Sequence, residues 1–220
     1  MMSAQTEYLV SIPVDSITLE GALSIPLQAE GVVLFAHGSG SSRHSPRNNF
    51  VARVLQSAKL GTLLIDLLTK EEDEVYRTRF DIELLTHRLA GATTWLMHHP
   101  QAKDLRIGYF GASTGAAAAL SSAAALGQAI GAVVSRGGRP DLAWPSLSHV
   151  QAPTLLIVGG LDDTVIQLNQ QAYEQIKAEK KLVIVPGATH LFEEPGTLEQ
   201  VAHLAAQWFQ RYLRPEHKGH

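Results

Sequence analysis

A serine between two glycines is the first feature of this sequence that could perform covalent chemistry. Residues 111–115 read G-A-S-T-G, which places Ser113 after an apolar run and before an alanine-rich segment. A G-x-S-x-G sequence between a strand and a helix is typical of a nucleophile on a tight turn, where side chains at the glycine positions would collide. The five-residue pattern alone occurs by chance in about one chain in ten of this length. Ser113 is therefore a candidate nucleophile only if the sequence also supplies a base and an acid to act with it.

A histidine is the partner that a serine nucleophile needs, because the hydroxyl is a weak nucleophile until a base takes its proton. His190 is the best placed, since it follows the apolar run 182–185 and a glycine-containing turn. His37 also ends an apolar run and is the rival base. We assign His37 to shaping the loop that follows it, where it could also contact substrate.

An acid completes the set by orienting the histidine and stabilising its protonated form. Asp162 is the first acidic residue after the glycine pair 159–160, which ends another strand pattern. Asp163, next to it, and Asp141, after an earlier strand, are the alternatives. The order serine, aspartate, histidine matches that of hydrolases with a G-x-S-x-G turn. We therefore predict a catalytic triad of Ser113, Asp162 and His190.

Acyl transfer also needs hydrogen-bond donors for the tetrahedral oxygen, each worth about 3 kcal/mol when well placed. The backbone N–H of Thr114, one residue past the nucleophile, is one predicted donor. The backbone N–H of Ser39, in the loop after His37, is the other.

Two arginines follow a strand that should end at the same edge. Arg136 and Arg139 lie in the segment S-R-G-G-R at 135–139, and either could pair with a substrate carboxylate. We predict this role for Arg136 and a surface position for Arg139. Trp144 and Phe192 could line an acyl pocket, or they could belong to the core.

The elements that position these residues are predicted to alternate between strand and helix from about residue 32 onward. This pattern indicates an α/β fold with a mostly parallel central sheet, helices on both faces and an N-terminal antiparallel hairpin. Residues 70–74 form a charge run that we interpret as a solvated loop. No linker interrupts the pattern, so residues 1–220 are predicted to form one domain, with a polar tail after Pro215. The predicted strands are 8–14, 17–25, 32–36, 62–68, 105–110, 132–135, 154–158 and 182–185, and the predicted helices are 50–60, 80–98, 114–126, 165–177 and 197–213.

Composition argues against several classes of protein. The chain has no cysteine, a formal net charge of −3 and a pI of about 6.4, which gives no reason to expect a disulfide framework or a nucleic-acid partner. Residues 1–14 lack a basic region followed by an apolar one, and residues 115–134 are too rich in alanine, glycine and serine for a membrane span. We therefore expect a cytoplasmic protein that acts on a small-molecule ester, without membrane or nucleic acid, as a monomer or a homodimer. Neither a cofactor nor a metal is predicted, and the third glycine of a dinucleotide-binding loop is missing after residue 40.

These motifs together resemble the α/β-hydrolase superfamily, and most closely its small branch around dienelactone hydrolase, which has no lid domain. The resemblance covers residues 32–195 and is specific for fold and triad rather than for substrate. The matching positions are His37-Gly38, the 111–115 turn, Gly159 with Asp162 and Val165, and Gly187 with His190. The resemblance implies an α/β-hydrolase fold. Dienelactone hydrolases use a cysteine where this chain has Ser113, so the resemblance favours a general carboxylic ester hydrolase over the dienelactone reaction.

Three functions remain open at this stage. The first is a serine hydrolase that cleaves esters, thioesters or lactones through an acyl-enzyme intermediate. The second is a binding domain that keeps the scaffold without catalysis, and it predicts that Ser113 does not react with a fluorophosphonate. The third is a lactone hydrolase of the dienelactone type.

Overall fold

The computed structural model describes residues 7–215 and contains one continuous sheet of eight strands. The strands are β1 (Glu7–Val14), β2 (Ile17–Ser24), β3 (Gly31–Ala36), β4 (Leu60–Ile65), β5 (Ile107–Ala112), β6 (Ile130–Arg136), β7 (Thr154–Gly159) and β8 (Lys180–Val185). Their order across the sheet is β1-β2-β4-β3-β5-β6-β7-β8. β1 and β2 form the predicted antiparallel hairpin and β2 joins β4 antiparallel, whereas all later neighbours are parallel. The predicted α/β class, with its mostly parallel sheet and N-terminal hairpin, is confirmed.

The central strands are buried on both faces, which explains their continuous apolar sequences. Every residue of β3, β4, β5, β6 and β7 is buried. A strand covered by helices on both sides has no water-facing positions, so it does not show the alternation of a half-exposed strand. β1, at the edge of the sheet, does alternate toward its end, where Ile12 and Val14 are buried and Ser11 and Pro13 are exposed.

Residues 7–215 form six α-helices, of which the five longer ones cover the two faces of the sheet. The six helices are α1 (Pro46–Ser57), α2 (Lys70–Glu74), α3 (Ile82–His98), α4 (Thr114–Leu126), α5 (Asp163–Gln175) and α6 (Thr197–Leu213). Apolar residues of α1 and α6, such as Leu55 and Phe209, form one core layer. Residues of α3, α4 and α5, such as Leu89, Leu120 and Ala172, form the layer on the opposite face. The prediction of helices on both faces is therefore confirmed.

The first helix begins four residues before its predicted start. Ser45 caps it by accepting a hydrogen bond from the Asn48 N–H, and Pro46 occupies the first helical position. Proline fits there because its missing N–H would have no partner in the first turn. Lys59, with a φ of 61°, ends the segment, so β4 starts at Leu60 and not at the predicted residue 62. The predicted start was late because the apolar periodicity of this helix begins at residue 50, after the capping residues Ser45 and Pro46.

The charge run at 70–74 forms helix α2, and the prediction of a loop there is wrong. Thr69 accepts a hydrogen bond from the Glu72 N–H, and the Glu72 carboxylate accepts one from the Thr69 N–H. This reciprocal cap stabilises a short helix without apolar periodicity. The guanidinium of Arg88 in α3 also pairs with Glu72, at 2.6 Å.

The segment between β6 and β7 is short, and much of it is helical. Residues Pro140–His149 form irregular 3₁₀ turns that pack against α4 and α5. This segment was not predicted, because its apolar residues do not follow a helical period.

No helix within residues 7–215 has the length and apolar character needed to cross a membrane. The predicted polar tail beyond Pro215, and the first six residues of the segment considered for a signal peptide, lie outside the described residues.

Candidate active site

The loops after β3 and β5 lie at the point where the strand order reverses. β3 connects through α1 to β4 on one side, and β5 connects through α4 to β6 on the other. In open α/β sheets this switch point leaves a crevice beyond the carboxyl ends of the strands, where ligands bind. The His37 loop and Ser113 flank this crevice. β6 ends at Arg136, and the loops after β7 and β8 carry Asp162 and His190 to the same edge of the sheet.

Ser113 lies on a strained turn between β5 and α4. Its φ and ψ are 51° and −121°, a conformation that residues other than glycine rarely adopt and that costs roughly 1–3 kcal/mol. The flanking glycines allow the turn, because a Cβ at Gly111 would lie 2.5 Å from Cα of Ala116 and a Cβ at Gly115 would lie 2.2 Å from the carbonyl oxygen of Ala36. Strained conformations of this kind cluster at functional sites, where the surrounding structure holds them.

His190 and Asp162 form a direct hydrogen bond. Nδ1 of His190 lies 2.7 Å from Oδ2 of Asp162. An ionised carboxylate only accepts, so Nδ1 carries the proton and Nε2 is the nitrogen available as a base. The Asp162 side chain is 16% exposed and the His190 side chain 39% exposed, so the carboxylate lies behind the imidazole and the ring can meet a ligand.

The loops that carry these two side chains are fastened to each other. The Leu161 N–H donates to the Ala188 carbonyl at 3.0 Å, and the Gly160 N–H donates to the Val185 carbonyl at 2.8 Å. A Cβ at Gly159 would lie 2.5 Å from the Ala188 oxygen, so glycine is required for this approach. The pairing of Asp162 with His190 thus follows from the packing of two adjacent strand ends.

Within residues 7–215, neither alternative acid forms a hydrogen bond or an ion pair with His190. Asp163 is exposed as the first residue of α5. Asp141 accepts two hydrogen bonds from Arg139, at 2.9 and 2.7 Å. Among the three acidic residues considered from the sequence, Asp162 is the one that contacts the histidine.

The backbone after β6 lies between Ser113 and His190. The Ser113 N–H donates to the Arg136 carbonyl at 3.2 Å. The next residue, Gly137, has a φ of 52°, and a Cβ there would lie 3.5 Å from both Nδ1 and Cε1 of His190. On the other side of the nucleophile, a Cβ at Gly38 would lie 3.1 Å from Cβ of Ser113. Ser113 and His190 therefore both lie beside the backbone of residues 136–137.

The two predicted oxyanion donors are joined by the side chain of one of them. The Ser39 N–H donates to Oγ1 of Thr114 at 2.9 Å. Thr114 is buried, and its own N–H lies at the start of α4, next to Ser113. No local sequence pattern indicates that the Thr114 hydroxyl binds the opposite loop.

His37 uses both ring nitrogens in backbone hydrogen bonds. The Leu67 N–H donates to Nε2 at 3.0 Å, so the proton resides on Nδ1, which donates to the Gly38 carbonyl at 2.9 Å. Burial lowers the pKa of His37, although Gly38, Asp66 and Asp73 act in the opposite direction. The ring is held neutral between two loops, and neither nitrogen is free to serve as a base or to bind substrate.

The remaining candidates divide between interior and surface. Arg136 is buried at the end of β6, and Phe192 is buried with its ring centroid 5.9 Å from the guanidinium carbon. Arg139 is partly exposed and paired with Asp141, as expected for a surface arginine. Trp144 is 42% exposed in the segment before β7.

Two residues near Arg136 were not predicted from the sequence. Arg47 and Asn48, at the start of α1, both approach Arg136, and nothing in the local sequence distinguishes them.

A cleft of about 310 Å³ opens beside the loop that follows β3. Its walls include His37, Ser41, Ser42 and His44, together with charged residues of neighbouring segments. Arg43 pairs there with both Glu20 and Asp66. The cleft adjoins the Ser39 side of the crevice, and neither Ser113 nor His190 lines it.

Comparisons with known proteins agree with this fold. Residues 55–214 match the dienelactone hydrolase family. The crystal structure of a dienelactone hydrolase from Anabaena variabilis is 60% identical, covers 96% of this chain and 100% of its own, and superposes with a TM-score of 0.94. Est1E from Butyrivibrio proteoclasticus is 17% identical, with a TM-score of 0.78 over 92% of this chain and 98% of its own, and shares the fold.

A curated relative from Mycobacterium tuberculosis, provisionally named as a phosphoribosyl transferase, is 56% identical over 204 residues. That match covers 93% of this chain and 46% of the relative, so the chain spans about half the length of the curated relatives it matches. On the family match and the Anabaena structure, this chain has the α/β-hydrolase fold and belongs to the dienelactone hydrolase family.

Proposed function

We propose that this chain is a serine hydrolase that cleaves carboxylic esters, or related thioesters and lactones, through an acyl-enzyme intermediate. The observation that carries the proposal is the 2.7 Å hydrogen bond between His190 and Asp162 at the sheet edge where Ser113 occupies a strained turn. A histidine oriented by a buried carboxylate is the group that turns a serine hydroxyl into a nucleophile.

The proposed reaction has two halves. Nε2 of His190 takes the Ser113 proton while Oγ attacks the ester carbonyl, and the tetrahedral oxygen accepts hydrogen bonds from the N–H groups of Thr114 and Ser39. Collapse breaks the bond to the alcohol, which leaves with the proton held by His190. Water then repeats the sequence on the acyl-enzyme, releases the acid and restores Ser113. Asp162 stays ionised and stabilises the imidazolium in both halves.

Serine as the nucleophile favours esters as the substrate class. The family name refers to a lactone hydrolase, and lactones are cyclic esters that the same machinery can open. The short segment between β6 and β7 leaves the site without a large cover on that side, which suits small or accessible esters. No phosphoribosyl transfer is proposed, because that name belongs to a protein about twice as long as the matched region.

A panel of p-nitrophenyl esters of increasing chain length, with thioesters and lactones alongside, tests the proposal. We expect hydrolysis by the natural chain and a loss of several orders of magnitude in Ser113→Ala, with an unchanged unfolding transition. Equal activity in Ser113→Ala would refute the assigned nucleophile. An absence of hydrolysis across the panel would favour the alternative of a binding domain without catalysis.

A further inference from the structure

Arg136 is a buried cation without an acidic partner among the described residues. The residue is 7% exposed and ends β6. Among the described residues its side chain makes one hydrogen bond, from Nη2 to Oδ1 of Asn48 at a long 3.5 Å, and its Nε has no partner. The guanidinium carbon also lies over the ring of Phe192, 5.9 Å from its centroid. A contact with an aromatic ring does not neutralise a buried charge.

Other arginines of low exposure in this fold are neutralised by carboxylates. Arg43 pairs with Glu20 and Asp66, and Arg88, which is as buried as Arg136, pairs with Glu72 at 2.6 Å. Burying a charge is unfavourable unless it is paired and hydrogen-bonded. Arg136 departs from the pattern of these two arginines.

The positive charge of Arg47 adds to the unpaired charge of Arg136. Burial and the positive charge of Arg47 lower the pKa of Arg136 to about 10, which still leaves the guanidinium charged at neutral pH. Arg47 pairs with Glu193 through Nη1 at 3.1 Å, while its Nε is buried without a partner. Two guanidiniums with unused donors thus lie close together opposite one exposed carboxylate.

The excess positive charge of Arg136 and Arg47 lies beside the proposed triad. The Arg136 carbonyl accepts the Ser113 N–H, and the adjacent Gly137 contacts the His190 loop. Phe192 and Glu193, which contact the two guanidiniums, follow His190 in the same loop. Asn48 uses its oxygen to accept from Arg136, so its amide nitrogen is the group left to donate.

We propose that Arg136, Arg47 and Asn48 form a binding site for an oxyanion, a carboxylate or a phosphate, next to the catalytic serine. Guanidinium groups suit such anions because their planar N–H groups match two oxygens at once. The anion has two sources, a charged group on the ester substrate or a free inorganic anion. The assignment of the anion to the substrate rests on the proposed ester hydrolysis, whereas anion binding itself does not.

Anion binding is tested by thermal unfolding in 10 mM phosphate against chloride of equal ionic strength, with a concentration of about ten times an assumed Kd of about 1 mM. We expect phosphate to raise the Tm of the natural chain by roughly 3 °C, and to do the same in Ser113→Ala. The shift should disappear in Arg136→Met and persist in Arg139→Gln, a matched arginine on the same edge that already has a carboxylate partner. In chloride, Arg136→Met should unfold at the same or a higher temperature, because it removes an unpaired buried charge.

Two results would overturn the site. One is an equal phosphate shift in Arg136→Met and the natural chain, and the other is no shift in the natural chain. If Arg136→Met fails to fold, Arg47→Gln replaces it, and a phosphate shift equal to that of the natural chain would then overturn the site.

The source of the anion is tested with neutral p-nitrophenyl butyrate and the anionic mono-p-nitrophenyl succinate. A substrate-borne anion predicts that Arg136→Met loses at least about tenfold more kcat/KM on the succinate than on the butyrate, and that phosphate competes with the succinate. A free anion predicts that phosphate accelerates butyrate hydrolysis in the natural chain and not in Arg136→Met. Equal losses on both esters without any phosphate effect would contradict both sources. A failure to hydrolyse either ester would count against the proposed function and leave the thermal test intact.

Discussion

The backbone N–H of Ser39 donates a hydrogen bond to Oγ1 of Thr114 at 2.9 Å, although the residues are 75 positions apart. The bond joins the loop after β3 to the first turn of α4 across the switch-point crevice. Under the proposed mechanism, the developing oxyanion has to compete with the Thr114 hydroxyl for this donor.

Thr114→Val removes the competing acceptor while keeping the branched shape of the side chain. We expect kcat/KM to rise by up to about fivefold, because one hydrogen bond worth roughly 1 kcal/mol no longer opposes oxyanion binding. Steady-state hydrolysis of a p-nitrophenyl ester measures this effect, and Thr114→Ser, which keeps the acceptor, is the control. A rate that falls in Thr114→Val and is retained in Thr114→Ser would show instead that the hydroxyl is needed to position the loop.

Asp162→Asn should lower kcat by about 10³- to 10⁴-fold, because the amide no longer holds the His190 proton on Nδ1. Asp163→Asn changes the neighbouring exposed acid and should stay within about threefold of the natural chain. The two variants are compared at one pH with the same ester. Comparable losses in both would remove Asp162 from the triad.

His37 should make the fold less stable as the pH falls. Burial lowers its pKa in the folded chain below the usual value of 6.5. Below pH 6.5 the unfolded chain therefore binds a proton that the folded chain does not, and the free energy of unfolding decreases by at most about 1.4 kcal/mol per pH unit from this residue. His37→Gln lacks this contribution, so urea unfolding at pH 7, 6 and 5 should give it a flatter dependence than the natural chain. Parallel curves would mean that His37 is protonated equally in both states.

The glycines of the nucleophile turn should differ from other glycines in what they tolerate. A Cβ at Gly115 would lie 2.2 Å and 2.4 Å from the carbonyl oxygens of Ala36 and His37. Gly115→Ala should therefore cost more than about 3 kcal/mol of stability or prevent folding, since backbone has to move. Gly187, with a φ of 73° and nothing within 4 Å of a Cβ, should cost only about 1–2 kcal/mol as Gly187→Ala. Chemical denaturation measures both, and equal costs would show that the backbone around Gly115 moves aside with little loss of stability.

The order of the elements was predictable because it depends on local patterns. Continuous apolar runs such as β3 and β5, and the glycine-rich loops after them, can be recognised in the sequence without knowledge of tertiary contacts. The boundaries of the elements were less predictable. α1 begins at a serine and a proline outside its apolar period, and α2 is held by a cap and by Arg88, which is far away in sequence.

The candidate triad was predictable for a related reason. Each of Ser113, Asp162 and His190 follows a strand, and parallel strands end at a common edge. The supporting contacts were not predictable. Leu67 binding to His37, and Asn48 and Arg47 approaching Arg136, depend on how helices and loops from separate parts of the chain pack.

Covalent labelling with a fluorophosphonate, followed by intact-mass measurement and peptide mapping, is the most direct test of the proposed triad. The proposed mechanism predicts one adduct per chain, located on Ser113, that is lost in Ser113→Ala and forms much more slowly in His190→Asn. Absence of labelling in the folded natural chain, or labelling that persists unchanged in Ser113→Ala, would contradict it.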